Sequence, residues 1–149
     1  MNYVSIELRK LFIRDLKRLM DEINAYSDEA SLWVKKGNIK NSTGNLAMHI
    51  CGNLQHYIGA TLVGTDYVRN RPFEFEGKMK IQELHDEINK TLGIVNSFFE
   101  SSTEELYEKN YPVEVFGFRM SIFYFLIHLQ GHLNYHLGQV NYHRRILSK

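Results

Sequence analysis

Apolar side chains recur at intervals of three and four along most of this chain, and that period limits the fold more than any other feature of the sequence. From Tyr3 to about Tyr26, Val4, Leu8, Leu11, Phe12, Leu16, Leu19 and Ile23 form one stripe, with Arg9, Lys10, Arg14, Lys17 and Arg18 between them. Such a stripe is the buried face of an amphipathic helix. A second helix is predicted to start in Asn41-Ser-Thr-Gly-Asn45, capped by Ser42 or Thr43, and to run to about Leu62. A third spans Lys80 to about Phe99. It buries Ile81, Leu84, Ile88, Leu92, Val95 and Phe99 and wets Glu83, Asp86, Glu87 and Lys90. A fourth follows Ser121 as cap and runs to about Leu147. Arg144, Arg145 and Lys149 sit at its end, where cations favour the helix dipole. Four long amphipathic helices predict an all-α chain folded as a four-helix bundle. At 149 residues, one domain over 1–149 with one core is expected.

The connections carry their own signals. Ser27 to Trp33 breaks the period and can form a short turn capped by Ser27 or Asp28, with Trp33 anchoring it on the core. Between helices 2 and 3 lies a long loop, Gly64 to Gly77, in which Gly64, Asn70, Pro72 and Gly77 all disfavour a continuing helix. Long loops in compact domains are often functional. Its charges Arg69, Arg71 and Glu74 either pair with one another and hold the loop down, the commoner fate of loop charges, or meet an anionic substrate. Thr103-Glu-Glu-Leu106 resembles a cap and first turn. Tyr111 to Phe118, with Gly117, fits a short extended hairpin.

Charge and composition exclude several classes. Eighteen basic and seventeen acidic residues give a formal net charge of +1, with no electrostatic footprint for nucleic acid. No uncharged apolar run is long enough to span a membrane, and the start of the chain carries Glu7, Arg9 and Lys10 in place of a signal's apolar core. Cys51 is the single cysteine, so no internal disulfide can form. A cytoplasmic location is expected. Thirteen per cent of the chain is aromatic, more than a small core need hold, and such an excess at the surface often marks a partner interface.

The chemistry concentrates in two helices. His128, His132, His136 and His143 lie within a sector of roughly 80° on helix 4, and Gln139 shares it. His132 and His136 are spaced to reach one metal ion, although such a pair also arises without a metal in a histidine-rich helix. Helix 2 presents Asn45, His49, Gly52, Asn53 and His56 on one sector, and no charged residue occurs from Thr43 to Thr65. A polar face without Lys or Glu is a covered face, and covered polar groups suggest a lined site. His49 is therefore the best third ligand, with His128 as an alternative ligand and His56 as a base or supporting group. Asn45, Asn53, His56 and Gln139 share these faces and can orient the ligands or touch substrate. His143 is expected at the surface or an interface, His85 in solvent, and Cys51 in the core. No Ser-His-Asp set, phosphate-cradling glycine loop or cysteine pair is present.

Three segments, Asn45-Leu-Ala-Met-His-Ile-Cys-Gly-Asn-Leu-Gln-His-Tyr-Ile58, Gly64-Thr-Asp-Tyr-Val-Arg-Asn-Arg-Pro-Phe-Glu-Phe75 and His132-Leu-Asn-Tyr-His-Leu-Gly-Gln139, together resemble the DinB/YfiT-like superfamily. The likeness covers helix 2 to the C-terminus and looks closest to an uncharacterised bacterial branch. It implies an up-down-down-up four-helix bundle, often a homodimer. It also implies a divalent metal, commonly nickel or zinc, held by one helix 2 histidine and two helix 4 histidines. By motif position these are His49, His132 and His136. Characterised members include thiol S-transferases and a thiol-dependent isomerase, so a low-molecular-weight thiol is a possible cofactor. The expectation is thus a metal-dependent enzyme acting on a small molecule, a thiol S-transferase or a hydrolase, with catalytic residues beyond the ligands unassigned. The alternative is a dimeric bundle that binds a ligand or metal without catalysis.

Overall fold

The computed structural model describes residues 1–148, so the expected role of Lys149 lies outside the described residues. The chain is all-α. Among the described residues six α-helices appear: α1 (Tyr3–Asn24), α2 (Thr43–Leu54), α3 (Arg71–Glu76), α4 (Ile81–Ser101), α5 (Glu104–Glu108) and α6 (Ile122–Leu147). A 3₁₀ turn, Ala30–Trp33, precedes α2, and α2 runs on as a π-helix, Gln55–Val63. Ser42 and Ser121 are the caps expected for α2 and α6, and Asn2 caps α1. Asn2, Ser42 and Ser121 each accept a backbone N–H from the first turn of α1, α2 and α6.

The helical stripes become the core. Leu8, Phe12, Leu16, Leu19 and Ile23 of α1 are buried, as are Leu84, Ile88, Val95 and Phe99 of α4. Phe12 and Phe99 pack with ring centroids 5.6 Å apart. Both α1 and α2 pack against α4 and α6. Polar ties reinforce the α1–α6 seam. Buried Asp15 accepts hydrogen bonds from Gln130 and Asn134 and pairs with Arg14, while Glu22 pairs with Arg144.

Two connections differ from the sequence expectation. The long loop after α2 contains α3, because residues that cannot continue one helix are suited to starting another. Asn70 caps it, and Pro72 sits in its first turn, where a missing N–H costs nothing. The segment from Tyr111 to Met120 is a loop rather than a hairpin. Among the described residues a single antiparallel bridge, Asn110 with Ser121, closes its ends, and Gly117 makes the turn at φ 77°. Its tip swings Val115 and Phe116 back over α6.

α2 is covered along its whole length. Asn45 does much of the covering. Its amide donates to the carbonyls of Glu74 and Gly77, at 3.1 and 3.0 Å, and so straps α3 onto the polar face. On the opposite side Trp33 packs against Gly44, where a Cβ would collide with the indole ring. Among the described residues no helix is long and apolar enough to cross a membrane.

Candidate metal centre

α2 delivers His49 and α6 delivers His132 and His136, one turn apart, to a common point. Their ligand-capable atoms all lie within 4.8 Å of one another. His132 Nε2 stands 3.1 Å from His49 Nε2 and 3.1 Å from His136 Nε2. Three imidazole nitrogens at about 2.0–2.1 Å from one tetrahedral ion would lie roughly 3.3–3.4 Å apart, close to what is found.

The outer nitrogens define the protonation pattern. His49 Nδ1 lies 2.9 Å from Glu74 Oε1, and His136 Nδ1 lies 2.7 Å from Gln139 Oε1. Both partners are acceptors, so both Nδ1 atoms carry a proton and both Nε2 atoms present lone pairs inward. Neutral His132 has at most one proton on its Nε2 and can satisfy one of the two. A cation at the centre satisfies all three, so the donor set fits a divalent ion bound by neutral imidazoles. Burial first, then the neighbouring His136 and His49, push the His132 pKa down to about 3. His136 is likewise lowered, chiefly by burial and against the pull of Gln139. Both rings are therefore neutral and ready to ligate.

Glu74 is the buttress that sequence reasoning did not assign. Burial would raise its carboxyl, but hydrogen bonds from His49 and Arg69, with the Arg69 charge, outweigh that and hold it below its ordinary value. Arg69 grips both oxygens, at 2.8 and 2.9 Å. Of the three loop charges, then, Arg69 and Glu74 pair as the plainer reading expected, and Arg71 stands apart. Gly52 leaves the space that Glu74 occupies, since a Cβ there would collide with the carboxylate. The Phe75 ring packs on His49 at 4.7 Å. An Arg-Pro-x-Glu segment facing a covered polar helix was the available signal, and it showed only that the loop mattered.

The other expected residues divide. Gln139 orients His136. Asn45 holds α3 and touches no ligand histidine. Asn53 lines a cavity of about 320 Å³ at the open side of the triad, and its Oδ1 is buried without a partner. His56 packs edge-on to Tyr57, with centroids 4.8 Å apart, outside that lining. His128 lies parallel to Phe125 at 5.8 Å and belongs to the cavity wall rather than the ligand group. His143 corrects the expectation of a surface residue. It is 3 % exposed, because residues 38–41 fold across that end of α6. His85 is half-buried with Nε2 shielded, rather than free in solvent. Cys51 is in the core as expected, and burial pushes its thiol up to about 12.

No family model matches the sequence, and no curated protein does. The fold is similar to that of a conserved protein of Enterococcus faecalis known from its crystal structure. The TM-score is 0.79 at 15% identity, covering 99% of this chain and 98% of that one. A likeness at that identity concerns the fold and leaves activity open.

Proposed function

We propose that this chain is a metal-dependent enzyme built on a DinB-like up-down-down-up four-helix bundle, with His49, His132 and His136 holding one nickel or zinc ion. The observation that carries the reading is the inward convergence of three Nε2 atoms, two of them fixed by Glu74 and Gln139. Structural sites of this kind close the shell with a fourth protein ligand, whereas catalytic sites keep a position free. Here the three histidines are the whole cluster among the described residues, and His49 and His132 also line the cavity.

A divalent ion so held supplies a Lewis acid that lowers the pKa of a water or a thiol at its open position. The protein residues do the rest. Glu74 and Gln139 keep the two outer protons in place, so that His49 and His136 stay in the ligating tautomer. Arg69 keeps Glu74 ionised. Phe116 and Phe125 shield the approach from bulk water. The reaction class is S-transfer where a low-molecular-weight thiol is the cofactor, and hydrolysis where water is. A lone buried Cys51 suits the reducing cytoplasm in which such thiols are kept.

Turnover of a model electrophile, with a small thiol and added nickel or zinc, tests the reading. Metal-dependent turnover that is lost in His132→Ala is expected. Metal binding without turnover, across several thiols and hydrolysable esters, would leave a non-catalytic metal-binding bundle. We further propose a homodimer. Tyr124, Ile127, Tyr135, Tyr142 and Ile146 are exposed along one side of α6, with Gly131 and Gly138 between them, and their rings support packing against a second copy.

A further inference from the structure

The cavity at the open side of the triad is charged in one sense. Among the described residues no carboxylate lines it. The charge of Glu74 is already matched by Arg69, which grips both its oxygens. The three imidazoles carry no negative charge to offset a bound dication. Arg71 lines the same cavity and has no ion-pair or hydrogen-bond partner among the described residues. Its guanidinium lies 5.9 Å from the centre of the Phe75 ring, and that ring packs directly on His49. The free cation thus stands one aromatic ring away from a ligand histidine.

The apolar part of the wall is largely aromatic, set among His49, Asn53, Arg69, His128 and His132. Phe116 is edge-on to both Phe125 and His128, at 6.0 and 4.7 Å, and remains 44 % exposed. Tyr57 meets Phe125 edge-on at 5.1 Å. Rings with a free face are suited to stacking a flat group. A cavity of about 320 Å³ lies at the small end of ligand sites, which run from roughly 300 Å³ upward.

We propose that the substrate is a small aromatic carboxylate. Arg71 receives the carboxylate through charge-assisted hydrogen bonds, and the ring lies against the exposed Phe116 beside the metal position. This deepens the reading above. It rests on that reading for what becomes of the substrate, and on the chain's own residues for its binding.

The test titrates benzoate, acetate and benzamide into chelator-treated protein and into protein given cobalt(II). Binding is read by thermal stabilisation and, with cobalt, by the visible absorption of the ion. Benzoate should bind at least about tenfold tighter than acetate, which lacks the ring, and than benzamide, which lacks the charge. Arg71→Gln should weaken benzoate by roughly tenfold or more and leave cobalt affinity unchanged. Arg71 is exposed in the first turn of α3, so this variant keeps the fold, and its unchanged melting temperature without ligand is the control. Equal binding of the three probes, or equal benzoate affinity in Arg71→Gln and the parent, overturns the proposal. If cobalt gives no spectrum while benzoate still stabilises the chelator-treated protein through Arg71, the metal reading fails and the anion site stands.

Discussion

At the residue scale, Glu74 carries more than its sequence context suggests. It joins a half-buried cation to a ligand histidine, so removing its charge acts on both. Glu74→Gln keeps an oxygen for His49 Nδ1 but leaves Arg69 underpaired in a half-buried setting. A loss of about 2 kcal/mol is expected by urea unfolding, with metal affinity lower by roughly 10–100-fold in a calorimetric titration. His132 makes a second prediction. Its pKa lies well below the ordinary 6.5, so the unfolded chain takes up a proton that the folded chain refuses. Stability of the metal-free protein therefore rises with pH from about 3 to 6.5 and is lost as pH falls through that window. At pH 5 the loss should be about 1 kcal/mol once solvent screening is allowed for. His132→Gln should reduce the slope, leaving the part owed to the other buried histidines such as His136 and His143, and urea midpoints at pH 5 and 7.5 check it. The three histidines could be picked out from spacing and a charge-free helix face, both local patterns. Glu74 could not, because a carboxylate 25 residues from the nearest ligand can pair with its loop neighbours or turn inward, and only packing decides.

At the element scale, α2 and α3 form one device. α2 has no room for side chains at Gly52, and α3 fills that gap with Glu74. Gly52→Ala should therefore destabilise the protein by about 1–3 kcal/mol, although alanine favours the helix itself. Thermal unfolding with and without metal should show a lower melting temperature and a reduced metal effect together, since the same carboxylate is displaced. A variant as stable as the parent would show that α3 yields easily and does not brace His49. The long helices were legible from their period, and for α2 and α6 the caps Ser42 and Ser121 agreed with it. α3 was not, since Pro72 and Asn70 read equally well as breakers and as starters. Neither was the aromatic wall. Val115 and Phe116 reach the site from a loop whose alternating residues suit a strand, and among the described residues a single bridge at Asn110 and Ser121 formed there.

At the scale of the whole molecule, a metal bound by α2 and α6 would link two helices that are far apart in sequence, and binding to the folded state alone raises stability by mass action. The exposed rings on α6 lead to a further expectation. Sedimentation at micromolar concentration should give a dimer, and Tyr135→Lys, at a residue 66 % exposed and clear of the core, should shift it to monomer without changing the fold. A monomeric parent would remove the assembly proposal and leave the site untouched. The central claim is that three histidines form one metal site. Its most direct test is titration of nickel or zinc, at pH 7.5, into tag-free, chelator-treated protein and into His132→Ala. The account predicts one tight equivalent per chain for the parent and none of comparable affinity for the variant. Equal uptake by the two proteins, or no tight uptake by the parent, would contradict it.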